Sequence, residues 1–216
     1  MAVQFIYLHG FASSPYSNKA QVFKAAFEER GLDLTVPELD GGNFESMTLS
    51  SQIKIIENCL DKFKNENYAL IGSSMGGYLA ALVSQLRKDI DAIYLMAPAF
   101  EFLNRWNLRI EEQFGKNNIP DNINVFHYRS NKEVSFQTKI FEDAKKWEEV
   151  LFSRKLPIRV AHGLHDDSVP IEVSRRFISS YPWATLEELD SDHGLGSHAD
   201  WLANDCMCFF RNLELL

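Results

Sequence analysis

Residues 68–77 read Tyr68-Ala69-Leu70-Ile71-Gly72-Ser73-Ser74-Met75-Gly76-Gly77. The first four residues are a strand-forming run, and the pattern Gly-x-Ser-x-Gly follows directly, centred on Ser74. Where a strand turns sharply into a helix, the turn residue needs small neighbours, and the strained turn holds a serine hydroxyl out above the sheet edge. The stretch therefore predicts a strand, a tight turn and a helix, with Ser74 as a candidate nucleophile. Because the pattern also recurs by chance in glycine-rich loops, the rest of the chain decides between the two interpretations.

Size and composition limit the possible functions. A chain of 216 residues with 45% hydrophobic residues can bury a sizeable core, and it fits one domain spanning 1–216 better than two. The formal net charge of -8 argues against nucleic acid or an anionic membrane as a partner. The three cysteines form no Cys-x-x-Cys pair, which fits a reducing compartment. The N-terminus has neither a basic region nor enough apolar residues for a signal peptide or a membrane span, so we expect a soluble cytoplasmic protein.

Strand-like and helix-like segments alternate along most of the chain. Short apolar runs predict strands, and apolar residues that recur every three or four positions predict helices. A repeated order of strand, helix and strand implies a parallel sheet covered by helices on both faces, which is the doubly wound α/β class. The predicted strands are 5–8, 32–39, 68–71, 92–96, 158–161 and 184–189, and the predicted helices are 20–30, 49–63, 75–86, 140–151 and 201–213.

One segment breaks this alternation. About sixty residues separate the fourth and fifth predicted strands, which is too many for a single crossover helix. The helix predicted at 140–151 can serve as the crossover, and this leaves residues 100–139 as an insertion placed where a lid over a site would lie. We therefore predict a lid, with Trp106, Phe126 and Phe136 as candidates to line an acyl pocket. The alternative is a decorated crossover that packs far from any site.

Two further candidate residues follow the last two predicted strands. A serine hydroxyl becomes a good nucleophile when a histidine takes its proton, and that histidine needs a carboxylate to fix its tautomer. In a doubly wound sheet such groups meet at the carboxyl ends of the strands. Asp166 follows the fifth strand and His193 follows the last. We predict a triad of Ser74, Asp166 and His193, with the neighbouring Asp167 and His198 as alternatives.

The loop after the first strand supplies part of a candidate oxyanion site. Acyl transfer passes through a tetrahedral oxyanion, which two preorganised backbone N–H groups can hold. His9-Gly10 closes the first strand, so the N–H of Phe11 is one candidate donor. The N–H of Met75, directly after Ser74 at a helix N-terminus, is the other. His9 and His162 each precede a glycine in a tight turn, and we expect both to serve structure.

Four motifs resemble those of the α/β-hydrolase superfamily, and within it the chain is similar to the small bacterial YqiA-type esterases. The wider likeness lies in His9-Gly10-Phe11, Gly72-x-Ser74-x-Gly76, Gly163-x-x-Asp166-x-x-Val169-Pro170 and Asp192-His193-Gly194. The narrower likeness lies in Tyr7-Leu8-His9-Gly10-Phe11 with Ser13-Ser14-Pro15, Ser17 and Lys19, and in Gly72-Ser73-Ser74 with Gly76-Gly77-Tyr78. The resemblance implies an α/β-hydrolase that lacks the N-terminal hairpin and keeps a mostly parallel sheet of about six strands. The chain departs from the smallest members by its longer segment before Leu156 and by its fuller motif around Asp166.

Other functions for the same residues are weaker. His162, His165, Asp166 and His193 are metal-ligand types, but their spacing matches no strong metal signature and leaves the Gly-x-Ser-x-Gly pattern unexplained. A phosphate-binding loop would need Lys-Ser or Lys-Thr after Gly76-Gly77, and neither is present. A non-catalytic binding protein on the same fold stays open, because fold does not guarantee function.

The sequence therefore predicts a serine hydrolase. We expect it to cleave a carboxylic ester or a thioester of a small acyl substrate through an acyl-enzyme, with no metal or organic cofactor. A peptidase, a lactone hydrolase and a hydrolase of carbon–carbon bonds use the same chemistry and stay open. The sequence does not name the acyl group, the leaving group or the oligomeric state.

Overall fold

A computed structural model of the chain describes residues 3–63, 66–116 and 118–216. Its centre is a sheet of six parallel strands in the order β2-β1-β3-β4-β7-β8. The predicted doubly wound sheet of about six strands is confirmed. The strands of this sheet are β1 (Val3–Leu8), β2 (Leu34–Thr35), β3 (Asn67–Ser73), β4 (Ile90–Met96), β7 (Ile158–Gly163) and β8 (Ala184–Leu189), and a separate antiparallel hairpin consists of β5 (Asn122–His127) and β6 (Lys132–Gln137).

Helices cover both faces of the six-stranded sheet. One face carries α1 and α7, whose buried side chains pack with alternate residues of β1 and β3. The other face carries α2, α3, α5 and α6. The helices are α1 (Asn18–Glu28), α2 (Leu49–Leu60), α3 (Met75–Leu86), α4 (Phe102–Phe114), α5 (Lys139–Glu148), α6 (Ile171–Ser180) and α7 (Ala199–Asn212), and short 3₁₀ turns lie at Phe44–Ser46 and Gly196–His198.

The middle strands are buried on both faces, which explains why they read as continuous apolar runs. Six consecutive residues of β3, from Tyr68 to Ser73, are buried, and six of the seven residues of β4 are buried. A strand covered on both sides cannot alternate polar and apolar residues without burying unpaired polar groups. The apolar runs therefore place β3 and β4 at the centre, and Ser74 follows directly on β3.

The second strand is shorter than predicted. We expected a strand over 32–39, but only Leu34–Thr35 pairs with β1 at the sheet edge. Pro37 has no N–H to donate to a neighbouring strand, so the ladder ends before it. Helix α6, between β7 and β8, is an element that the sequence analysis did not assign.

The segment 100–139 contains α4 and the β5–β6 hairpin. Helix α4 is tied to the loop after β7, because the Arg105 guanidinium donates to the backbone oxygen of Ser168 over 2.7 Å. The hairpin is tied to the loop after β1, because the N–H of Tyr128 donates to the backbone oxygen of Ala12 over 3.1 Å. The segment therefore packs against two of the loops that leave the carboxyl ends of the strands.

Within the described ranges, none of the helices has the length and apolar character that crossing a membrane requires.

Candidate active site

Ser74 occupies the sharp turn between β3 and α3. Its backbone has φ 52° and ψ -115°, outside the regions that L-residues ordinarily occupy. Two hydrogen bonds hold this turn, since the Ser74 N–H donates to the Met96 oxygen over 2.8 Å and the Ser74 oxygen accepts from the Ala99 N–H over 2.9 Å. Ser74 is partly exposed while both of its neighbours in the chain are buried. The turn therefore presents the serine at the carboxyl edge of the sheet.

Two glycines allow the backbones around this turn to approach each other. A side chain at Gly76 would collide with the backbone of Leu8 at the end of β1. A side chain at Gly163, the last residue of β7, would collide with the backbone of Ser191 and Asp192 in the loop after β8. Only glycine fits such close approaches, so these positions set how tightly the loops meet around Ser74.

Ser74, His193 and Asp166 form a continuous chain of hydrogen bonds. The Nε2 atom of His193 lies 2.9 Å from the Ser74 Oγ, and its Nδ1 lies 2.6 Å from the Asp166 Oδ2. His193 is partly exposed, whereas the Asp166 side chain is fully buried. The ring can therefore take a proton at Nε2 from the serine while Asp166 holds Nδ1–H.

The Asp166 carboxylate is surrounded by hydrogen-bond donors. Its Oδ1 accepts from the backbone N–H groups of Ser168 and Val169 over 2.9 and 2.7 Å, and its Oδ2 faces both His162 and His193. Burial alone would raise the pKa of Asp166, but the hydrogen bonds from His162, His193 and Val169 outweigh burial and hold it well below its usual range. The carboxylate is therefore ionised at every pH at which histidines titrate.

The alternative residues lie outside this chain of hydrogen bonds. The Asp167 carboxylate accepts from the hydroxyl of Ser168, and the Nδ1 of His198 lies 2.9 Å from the Ser197 hydroxyl. His165 pairs with Asp190 at the surface over 2.8 Å. The structure thus brings Asp166 and His193 to Ser74, and not their sequence neighbours.

The N–H groups of Phe11 and Met75 stay predictions as oxyanion donors; the loop before Phe11 does approach the serine, since a Cβ built on Gly10 would lie 3.5 Å from the Ser74 Cβ. The hydrogen bonds found among the described residues include none that the N–H of Phe11 or Met75 donates. Met75 begins α3, where the helix leaves its first N–H groups without internal partners. The buried His9 holds the neighbouring loop, because its Nδ1–H donates to the Gly10 oxygen over 3.0 Å and its Nε2 accepts from the Leu39 N–H over 3.2 Å.

Aromatic side chains from three parts of the chain gather around Phe11. The Phe11 ring centroid lies 5.0 Å from that of Phe136, 5.2 Å from that of Phe44 and 6.0 Å from that of Trp106. Trp106 and Phe136 belong to the inserted segment, and Phe44 lies in the loop between β2 and α2. An apolar wall therefore stands beside one candidate oxyanion donor.

Phe126 does not join this group, contrary to the sequence prediction. Along β5 the side chains alternate, with Ile123 and His127 buried and Phe126 45% exposed on the opposite face. The Phe126 ring packs on Tyr128 instead, which is itself exposed. Which face of a hairpin turns inward depends on its packing, and the sequence analysis had not assigned this hairpin.

Two residues near the triad were not predicted as functional. Lys19, on the first turn of α1, makes no hydrogen bond or ion pair with any described residue; burial lowers its pKa to about 8, although Asp192 and Asp166 act to raise it. It does lie in the narrower family motif, which is a sequence signal. Phe44 has no such signal, because it comes from a loop without regular pattern.

Across the described ranges, no three His, Cys, Asp or Glu side chains converge in a way that would hold a metal ion. Of the four residues considered as metal ligands, His165 is exposed and pairs with Asp190. In the other three, the buried Asp166 lies between the imidazoles of His162 and His193 and hydrogen-bonds to both, so its oxygen atoms are already engaged.

Structural comparison gives close neighbours in fold. The structure of Est1E from Butyrivibrio proteoclasticus matches with a TM-score of 0.80 at 19% identity, covering 98% of this chain and 88% of that one. The mouse α/β hydrolase domain-containing protein 10 matches with a TM-score of 0.81 at 19% identity, covering 97% and 88%. At these identities the likeness shows the fold alone.

Sequence comparison gives a relative and a family. The Mycoplasma pneumoniae protein named "Putative esterase/lipase 2" is 35% identical over 101 residues, which cover 44% of this chain and 37% of that protein. The chain thus spans well under half the length of this relative. The model of the family described as "Uncharacterised protein family (UPF0227)" matches residues 4–208. The chain therefore belongs to the UPF0227 family, whose members are the YqiA-type proteins, and it has the α/β-hydrolase fold.

Proposed function

We propose that the chain is a serine hydrolase that cleaves a carboxylic ester or a thioester of a small acyl substrate. The observation that carries the proposal is the hydrogen-bonded chain from the Ser74 Oγ through His193 to Asp166, with separations of 2.9 and 2.6 Å. At the first separation a histidine can take a proton from the serine, and at the second a carboxylate can hold the other ring nitrogen. The esterase/lipase name of the Mycoplasma pneumoniae relative supports the same class of reaction.

In the proposed reaction the Ser74 Oγ attacks the carbonyl carbon, and its proton passes to His193 Nε2. The carbonyl oxygen becomes an oxyanion, which the N–H groups of Phe11 and Met75 hold. Collapse of this intermediate breaks the bond to the leaving oxygen or sulfur, and His193 returns the proton to that atom. A water molecule then attacks the acyl group on Ser74 by the same steps, releasing the acid. Asp166 stays ionised and keeps His193 in the Nδ1–H tautomer.

The substrate class follows from what lies around the oxyanion donors. Phe11 is bordered by Phe44, Trp106 and Phe136, so the acyl part of the substrate would meet apolar walls. Phe136 is fully buried and Trp106 is half-buried, so these two rings would limit how far an acyl chain extends beside Phe11. We therefore propose that short and medium acyl chains react best.

A fluorophosphonate probe tests the nucleophile. We expect covalent labelling of Ser74 in the wild-type protein, located by peptide mass spectrometry, and hydrolysis of p-nitrophenyl acetate or butyrate. Ser74→Ala should fold, take up no probe and lose about four to six orders of magnitude in kcat, as loss of the nucleophile does in other triads. Ser73→Ala is the matched control, because its hydroxyl is buried next to Ser74 but lies outside the triad. Labelling at a different serine, or turnover by Ser74→Ala, would refute the assignment.

A further inference from the structure

His162 is fully buried at the end of β7, and both of its ring nitrogens have partners. Its Nε2 lies 3.0 Å from the Asp166 Oδ2 and 2.8 Å from the backbone oxygen of Val169. Both of these atoms are acceptors at neutral pH, so Nε2 must carry a proton and donate. His162 therefore faces the same carboxylate oxygen as His193 does.

The other ring nitrogen is held by helix α6. The His162 Nδ1 lies 2.7 Å from the hydroxyl of Ser174, which is also fully buried. A neutral ring with its proton on Nε2 accepts the Ser174 hydroxyl proton at Nδ1, and this hydrogen bond fixes both the tautomer and the plane of the ring. The chain of hydrogen bonds around Ser74 thus continues beyond Asp166 to Ser174.

The carboxylate of Asp166 is held at both oxygens, but in different ways. Backbone N–H groups hold Oδ1, whereas Oδ2 is shared between His162 and His193. Without His162, His193 would be the one side-chain donor to Oδ2 left among the residues that the structure describes. The carboxylate would then be free to tilt, and the negative charge facing His193 would be less neutralised.

We propose that His162, fixed by Ser174, is a positioning residue that holds Asp166 against His193 and moderates the charge that His193 faces. The proposal rests on the proposed serine-hydrolase function, because it assigns a part in that reaction to a residue that does not touch the substrate. The rival explanation is that His162 only fills the core beneath the loop after β7.

Other charged groups also act on these residues and have to be kept constant in a test. The positive charges of Lys19 on α1 and Arg105 on α4 interact electrostatically with the Asp166 carboxylate, but neither side chain donates a hydrogen bond to it. Besides Asp166, the charged group that faces His162 is Glu188 on β8, which is paired with Arg175 at the surface. None of these groups is altered in the variants below.

The test compares two substitutions at His162. His162→Leu roughly keeps the side-chain volume and removes the N–H donor. We expect kcat to fall by about 10- to 100-fold with little change in KM, which is the usual effect of losing a hydrogen bond that orients a charged group of an active site. The midpoint of the acid limb of kcat/KM should move to higher pH, because Asp166 with one donor fewer stabilises the protonated His193 ring more strongly. His162→Gln places an N–H near the position of Nε2, and it should recover most of the rate and the wild-type midpoint.

His165→Ala is the matched control, since His165 lies in the same loop and pairs only with Asp190 at the surface. It should leave both kcat and the midpoint unchanged. Equal losses in His162→Leu and His162→Gln with an unchanged midpoint would overturn the proposal in favour of the core-filling explanation. Wild-type kinetics in His162→Leu would overturn it outright.

Two measurements keep the test decisive if His162→Leu does not fold or if the protein does not turn over esters. Ser174→Ala removes only the hydroxyl at Nδ1, and it should shift the midpoint in the same direction as His162→Leu; an unchanged profile in this folded variant would count against the proposal. The proton between His193 Nδ1 and Asp166 should give a downfield ¹H resonance because that hydrogen bond is short. A change of this resonance in the His162 variants supports positioning even when Ser74 takes up no probe, which would refute the proposed function alone.

Discussion

Ser74 holds its hydroxyl in place at the expense of backbone strain. Its φ of 52° with ψ of -115° is a combination that an L-residue adopts only when its surroundings enforce it, at a cost of about 1 to 3 kcal/mol. The hydrogen bonds to Met96 and Ala99 enforce it here. Strain of this size is a sizeable share of the stability of a domain, so it should be visible in unfolding.

We expect Ser74→Gly to unfold at a higher temperature than Ser74→Ala. Glycine has no Cβ, so it relieves the strain that alanine keeps, although its greater freedom in the unfolded chain offsets about 0.5 to 1 kcal/mol. The net gain of up to about 2.5 kcal/mol should raise Tm by up to about 10 °C for a chain of this size. Thermal unfolding followed by circular dichroism measures the difference. A Tm of Ser74→Gly at or below that of Ser74→Ala would show that the turn is not strained.

At this scale the sequence predicted that Ser74, Asp166 and His193 lie together, as their hydrogen bonds show, because each comes within a few residues of the end of a predicted strand and the carboxyl ends of parallel strands share one edge. It did not predict the hydrogen bonds of His162, because one of them is to Ser174, which lies twelve positions further on in helix α6, an element that the sequence pattern did not indicate. It also misplaced Phe126, because the inward face of β5 is decided by contacts that only the folded chain shows, such as that of the His127 ring with Phe44.

The inserted segment is where element-scale prediction was weakest. Helix α3 and strand β8 were predicted with their observed bounds. Helix α3 is buried along most of its length and shows a clear apolar pattern, whereas β8 is an edge strand whose buried residues are Ala184 and Leu189. The hairpin of β5 and β6 has charged and polar side chains on its exposed face and aromatic residues on both faces, so its alternation is hard to see in the sequence. Its position beside the loop after β1 depends on the hydrogen bond from Tyr128 to Ala12.

Substitutions in this segment should change which acyl chains react. Trp106→Ala and Phe136→Leu open the wall beside Phe11, and we expect at least one of them to shift the best substrate toward longer chains while leaving acetate esters nearly unaffected. Each methylene that fits contributes about 0.8 kcal/mol, or roughly fourfold in kcat/KM. A series of p-nitrophenyl esters from acetate to dodecanoate measures the preference.

Phe126→Ala is the matched control for this series, because Phe126 is an aromatic residue of the same segment on the opposite face of the hairpin. Its profile of kcat/KM against chain length should coincide with that of the wild-type protein. If Trp106→Ala and Phe136→Leu also keep the wild-type profile, the segment does not form the acyl pocket. We use leucine at position 136 because Phe136 is fully buried, and a larger truncation would leave a cavity.

For the whole molecule, one half-buried lysine, Lys19, lies where its positive charge is partly shielded from water. The chain carries a formal net charge of -8, so a lysine would be expected to find an acidic partner, yet Lys19 pairs with none of the described residues. Burial lowers the Lys19 pKa to about 8. An unfolded lysine keeps its proton to about pH 10.4, so between these values the unfolded state binds more protons and stability rises with pH. Below pH 8 the folded state carries the full free-energy cost of keeping the half-buried Lys19 charged.

We therefore expect Lys19→Met to be more stable than the wild-type protein at pH 7. The gain should be about 1 to 3 kcal/mol and should shrink as the pH approaches 10, where the wild-type lysine is already neutral in the folded state. Urea unfolding at pH 7, 8.5 and 10 measures it. Lys24→Met in the same helix is the control, since Lys24 is exposed and should show no such trend. A difference that does not vary with pH, or a less stable Lys19→Met, would contradict the prediction.

The separation of Ser74 from His193 along the chain, 119 positions, also has a consequence for synthesis. The ribosome releases the nucleophile turn well before it makes Asp166, and His193 comes later still, after the edge strand β8. A nascent or prematurely terminated chain that stops before residue 193 carries Ser74 without the imidazole that hydrogen-bonds to it in the folded chain. On the proposed function, hydrolysis therefore begins only when the C-terminal part of the chain has joined the sheet.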